Sequence, residues 1–163
     1  MYLEKEIEQI KLRNKNRKWN TKKSTSHILK TTEDKVDDKD KENLLDQNFK
    51  ADKPSEKWVG DITYIYTKET GWTYLAIVMD LYDLKIIGWS YGKNMTSELV
   101  ISAFEKAKVA RGVTKGMIFH SDLGSQYTSN EYENLLVKNK VKHSYSKKGY
   151  PYYNPRMESF NAI

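Results

Sequence analysis

From Trp58 onward, apolar and polar residues follow periods that change along the chain. In "KWVGDITYIYT" they alternate among β-branched and aromatic side chains, the period-two signature of a strand. "GWTYLAIVMDLY" is almost continuously apolar, as a strand covered on both faces must be. "DLKIIGWSYG" follows a tight turn as a third strand, so the three predict an antiparallel meander. The period then lengthens. In "TSELVISAFEKAKVARG", Leu99, Val100, Ala103, Phe104 and Ala107 recur at helical spacing behind a Thr96 cap, and Gly112 supplies the stop. "KGMIFHSD" predicts a short strand ending in a polar turn. Thr128 and Glu131 form a capping box that opens a helix over "TSNEYENLLVKNK", with Tyr132, Leu135 and Leu136 facing inward. "VKHSYS" predicts a fifth strand, and Asn154 before Pro155 marks the start of a last helix. This order predicts an α/β fold: a mixed five-stranded sheet, three antiparallel strands followed by alternating helices and strands, flanked by helices.

The segment ahead of Trp58 has no such pattern. Residues 11–30 carry eight Lys or Arg and no acid, whereas residues 31–46 hold seven acids against three lysines. Blocks of charge without an apolar stripe stay solvated. Residues 1–50 are therefore expected to be a charged, largely flexible segment with a helix over 2–12, and residues 51–163 the folded core. The basic block reads either as a DNA-contacting arm or as a solubilising linker.

A net charge of +6 in 163 residues, with a pI near 9.2, points to an anionic partner, nucleic acid first. The absence of cysteine excludes disulfides and thiolate metal sites, so a metal would be held by carboxylates or by the three histidines. Oxygen ligands favour a hard cation such as magnesium or manganese. No apolar run approaches the length of a membrane span, and the N-terminus lacks the apolar core of a secretory signal. The expectation is a cytoplasmic protein without a membrane partner.

Three acids occupy positions that invite chemistry. Asp61 interrupts the first strand, Asp122 follows the strand "MIFH", and Glu158 lies in the first turn or so of the last helix. Each also has an ordinary reading: an edge or turn residue, a turn former before Gly124, and a carboxylate favoured by the helix dipole. Around Asp122, Gly124 permits a tight turn, and Ser121, Ser125 and Gln126 are candidates to hydrogen-bond the carboxylate or a phosphate. His120, beside an apolar strand, reads as a structural hydrogen-bonder or as a base. Converging carboxylates on a rigid frame suit the two-cation chemistry of phosphodiesters.

The stretches "ENLLDQNFKADKPSEKWVGDITYIYT", "GWTYLAIVMDLYDLKIIGW", "TSELV", "IFHSDLGSQYTS", "HSYSKKGYPYYN" and "MESF" span about residues 42–160. In order and spacing they closely resemble the catalytic core of insertion-sequence transposases of the retroviral-integrase type, which has an RNase H-like fold. The resemblance implies that Asp61, Asp122 and Glu158 are an acid triad binding two Mg2+ (or Mn2+) ions. It implies hydrolytic nicking at a transposon end, then attack of the freed 3′-hydroxyl on another phosphodiester. Lys147, Lys148 and Arg156 flank the third acid and are candidates to neutralise DNA phosphates. Tyr150, Tyr152 and Tyr153 either stack on bases or pack. The implied partners are transposon-end and target DNA, further copies of the chain, and a helix-turn-helix protein from an upstream reading frame; the implied setting is a bacterial nucleoid. Relatives continue beyond "ESF", so the expected core is truncated in its last helix, and "YYNPR" departs from the acid-containing wording usual before the glutamate. The competing readings are a non-catalytic DNA-binding remnant that interferes with intact transposase, and a stand-alone RNase H-like nuclease.

Overall fold

The computed structural model of the chain describes residues 41–146. The expected helix over 2–12, the basic block, and the segment carrying Lys147, Lys148, Arg156 and Glu158 lie outside the described residues. The elements are β1 (Lys57–Thr67), β2 (Gly71–Asp80), β3 (Lys85–Gly92), α1 (Ser97–Arg111), β4 (Ile118–Ser121), α2 (Asn130–Lys138) and β5 (Lys142–Tyr145). They follow the predicted order. The five strands form one sheet in the spatial order β3-β2-β1-β4-β5. β1 to β3 are the antiparallel meander, while β4 runs parallel to β1 and β5 parallel to β4. Among the described residues no helix is long and apolar enough to cross a membrane.

Alternation along the strands sends side chains to two different cores. On one face Trp58, Ala76, Val78 and Phe119 pack under Leu99, Val100, Ala103 and Phe104 of α1 and Tyr132 and Leu136 of α2. These are the helical positions expected to face inward. On the other face Val59, Ile77, Met79 and Leu81 form a second cluster with Leu45. This second cluster explains why β2 reads as continuously apolar: both of its faces are covered.

Two local features depart from the sequence reading. The cap of α2 is Ser129, not Thr128: the Ser129 hydroxyl accepts from the Tyr132 amide at 3.2 Å, because Ser129 is the extended residue just before the first helical turn. Residues 41–50, expected to lie outside the core, instead pack on the sheet. Leu45 is only 2% exposed, its amide donates to Ser144 Oγ at 3.1 Å, and the Tyr145 amide donates to the Glu42 carbonyl. Their high polar content hid a single buried leucine.

α1 lies on β3 with no room to spare. A Cβ at Gly88 would stand 2.2 Å from the Ala103 carbonyl oxygen and 2.6 Å from the Ala107 amide nitrogen, both backbone atoms of the helix. The far end of α1 is tied down by charge. Arg111 donates to Asp80 at 3.1 Å and, through both terminal nitrogens, to Asp83 at 2.9 and 3.0 Å. Asp80 is fully buried, and it also accepts from the Ser55 and Tyr82 amides, so its charge is satisfied on all sides.

Gly88→Ala should destabilise the domain by about 2–3 kcal/mol or more, since helix backbone cannot yield as a side chain would; an unchanged urea midpoint would contradict the close approach. The Arg111 hydrogen bonds hold the Asp83 carboxyl at about 2, below its ordinary 3.8. A depressed folded value means the stabilisation is present above pH 3.8 and is lost as pH falls towards 2. Acid denaturation of Arg111→Met should therefore lack that component, and parallel acid profiles for the two proteins would contradict it.

Candidate active site

The parallel ladder between β1 and β4 puts the first two candidate acids past the same end of one strand pair. Its register pairs Trp58 with Phe119 and Val59 with His120. The ladder ends there, and Asp61 on β1 and Asp122 just beyond β4 each lie two positions past its last pair. Asp61 is half-buried within β1, and Asp122 is exposed immediately after β4. Tyr127 is buried close to both carboxylates. Burial pushes its phenol well above 10, and the charges of Asp61 and then Asp122 push it further. Gly60 makes the approach possible: a Cβ there would lie 2.5 Å from the Phe119 ring and 3.0 Å from the Tyr127 hydroxyl.

The loop after β4 is held by its own residues, though not in the pairing expected from sequence. The Gly124 amide donates to Asp122 Oδ1 at 3.0 Å, an Asx-type turn that fixes the carboxylate. A side chain at Gly124 would crowd that carboxylate, with its Cβ 2.9 Å from the same oxygen. Gln126 does not bond the carboxylate; it donates to the Met95 carbonyl at 3.2 Å and moors the loop to the start of α1. Ser121 is fully buried and donates to the Asp122 backbone carbonyl at 2.9 Å, not to the carboxylate. His120 is buried too, with Nδ1 2.9 Å from Ser144 Oγ, as the structural reading expected.

Sequence reasoning missed His143 and Glu133. His143 Nδ1 lies 2.8 Å from Glu133 Oε1, and its Nε2 lies 2.9 Å from Ser121 Oγ. Tyr145 donates to the same Glu133 oxygen. The signal was spread over three elements: Ser121 closes β4, Glu133 is in the first turn of α2, and His143 is on β5. Only the strand register unites them, pairing Phe119 with His143 and Ser121 with Tyr145.

Asp61 and Asp122 offer carboxylate oxygens, the donor type that suits a hard divalent cation. Among the described residues no group of three or more His, Cys, Asp or Glu side chains converges to hold a metal. Glu158, the third candidate, lies outside the described residues.

Comparison with known proteins identifies the family and the fold. The model of the integrase core domain matches residues 51–151. Transposase InsF for insertion sequence IS3A of Escherichia coli (strain K12) is 44% identical over 119 residues, covering 73% of this chain and 41% of that protein. The transposase for insertion sequence element IS904 of Lactococcus lactis subsp. lactis (strain IL1403) is 46% identical over 118 residues, 72% of this chain and 46% of that protein. The chain thus spans less than half the length of these curated relatives. Among solved structures, the catalytic core domain of HTLV-2 integrase in complex with magnesium aligns with a TM-score of 0.56 and 25% identity, over 68% of this chain and 66% of that one. A chain of the simian T-cell lymphotropic virus intasome in complex with PP2A regulatory subunit B56 gamma aligns with a TM-score of 0.61 and 24% identity, over 68% of this chain and 38% of that one. The sheet with its helices is the RNase H-like fold of integrase catalytic cores.

If both carboxylates flank a buried phenol, Tyr127 should still be a phenol at pH values where an ordinary tyrosine, near pH 10, is half ionised. In protein labelled with 13C-tyrosine, its Cζ resonance should stay unshifted there, and Asp122→Asn should lower the pH at which it moves. Titration of Tyr127 at the ordinary value would contradict the arrangement.

Proposed function

The chain belongs to the integrase core domain family, and from that premise we propose that it is the catalytic core of an insertion-sequence transposase. It acts on DNA: it nicks the transposon end by hydrolysis and joins the freed 3′-hydroxyl to a target phosphodiester. The observation that supports this reading most directly is the approach of Asp61 and Asp122 at the rim of a central parallel strand pair, beside one buried tyrosine.

In this proposal Asp61, Asp122 and Glu158 hold two Mg2+ or Mn2+ ions. When bound, such ions activate an attacking oxygen and offset charge on a leaving one. The remaining work falls to the chain's own residues. The Gly124 amide keeps the Asp122 carboxylate in one orientation, which lowers the cost of ordering it on binding. Tyr127 stays protonated, so the site does not acquire a third negative charge from that side. Gln126 fixes the loop against α1. Phosphoryl transfer between oxygens requires no covalent protein intermediate, and neither a thiol nor an accessible serine is needed. Lys147, Lys148 and Arg156 neutralise DNA phosphates in the vicinity of the third acid. Assembly on transposon and target DNA would involve further copies of the chain, and recognition of the ends a helix-turn-helix partner.

The test is metal-linked stability. Saturating Mn2+ should raise the thermal midpoint of the wild type by on the order of 5 °C. Asp61→Asn and Asp122→Asn should each abolish that shift. An equal rise in wild type and Asp122→Asn would overturn the assignment.

A further inference from the structure

The contacts of Ser121, His143 and Glu133 impose a proton count. A serine hydroxyl has one hydrogen to give. Ser121 gives it to the Asp122 carbonyl, an acceptor only, at 2.9 Å. The contact of 2.9 Å between Ser121 Oγ and His143 Nε2 then requires the ring nitrogen to donate. At the other side of the ring, Nδ1 faces Glu133 Oε1 at 2.8 Å. Glu133 Oε1 also accepts from the Tyr145 hydroxyl, which makes this oxygen the acceptor, so Nδ1 donates as well. Both ring nitrogens carry hydrogen.

We infer that His143 is held as an imidazolium between Glu133 and Ser121, and that through Ser121 it positions the backbone of Asp122. The functional part of this inference rests on the reading of Asp122 as a metal ligand. The other groups around the ring fit a trapped cation. Phe119 of β4 and Tyr132 of α2 meet it edge-on or tilted at 6.0 and 5.8 Å, and Tyr145 of β5 stacks on it at 4.0 Å. Lys41 lies on the Tyr145 ring, 5.9 Å from its centroid. Glu133 is the one carboxylate recorded in contact with the ring among the described residues.

The triad-like order of carboxylate, imidazole and hydroxyl does not make Ser121 a nucleophile. Its side chain is sealed in the core, and its hydrogen points to a main-chain oxygen. The group it controls is the peptide that follows. The Ser121 carbonyl is tied to the Ser146 amide at 2.9 Å, the Asp122 carbonyl to Ser121 Oγ, and the Asp122 carboxylate to the Gly124 amide. If His143 loses a proton from Nε2, that nitrogen becomes an acceptor and takes the Ser121 hydrogen for itself. The Asp122 carbonyl is then released, and the residue keeps only its tie to Gly124. His143, Glu133 and Ser121 are thus positioning residues for Asp122.

The test uses the full chain labelled with 15N-histidine and 13C-carbonyl aspartate. Near neutral pH, long-range 1H–15N spectra should show both ring nitrogens of His143 protonated, with the assignment made from Ser121→Ala. Glu133→Gln keeps the shape and both accepted hydrogen bonds but removes the charge. It should convert His143 to a neutral ring and move the Asp122 carbonyl resonance in the direction seen in Ser121→Ala. Mn2+ affinity should fall roughly ten-fold in both variants. A neutral His143 in the wild type would overturn the inference, as would an Asp122 carbonyl unmoved in Glu133→Gln. If Asp122→Asn leaves Mn2+ affinity unchanged, the metal reading of Asp122 falls, and the ring and carbonyl signals still judge the relay alone.

Discussion

The short parallel ladder between β1 and β4 is the constraint on which the rest of this domain depends. It joins segments about sixty residues apart, as Val59 with His120 shows, and among the described strands it is the one ladder between the antiparallel meander and the β4–β5 pair. Because β1 runs past the end of β4, the rim next to Asp61 is open at the point where the chain leaves β4 through Asp122.

On either side of that rim the two faces of the sheet have different environments. The helix-covered face is dry and aromatic: Phe104, Phe119, Tyr127 and Tyr132 meet one another at centroid distances of 5.4–6.2 Å. Edge-on contacts of this kind leave little freedom for any single ring to move. The polar groups that enter this core, namely Ser121, His143 and Tyr145, are joined in one network with Glu133 at the water boundary. Buried polar groups of this sort cost stability when they are left partly paired. Here they bridge α2 to the strand end that carries Asp122.

Much of this was legible in the amino-acid order. Period-two alternation located β1 to the residue, and the helical spacing of Leu99, Val100, Ala103, Phe104 and Ala107 identified the buried stripe of α1. Gly112, at φ 78, ends α1 as expected, its amide returning to Lys108. What stayed hidden was set by tertiary contact. Leu45 is the one buried residue in a polar stretch, and its partners lie far off in the chain, Ser144 ninety-nine positions away. The Ser129 cap differs from the Thr128 reading by one residue, a shift that capping patterns alone do not resolve. Glu133 carries no sequence mark of its role, and no spacing rule links it to His143. That Asp61 and Asp122 lie past the same end of the β1–β4 ladder follows from strand register, which is invisible until the sheet order is known.

The separation spanned by the β1–β4 ladder also bears on how the domain reaches its native state. β1 and β2 need only the three residues 68–70 to turn back on each other. The entropy of closing a loop grows with its length, so the meander is the cheap part of the sheet and the central parallel pairing the costly one. Proteins dominated by such distant pairings fold slowly for their size. Until β4 docks, β1 presents an open edge of unpaired amides and carbonyls. The carboxylate rim is therefore among the last features to assemble, and it shares its formation with the closure of the sheet itself.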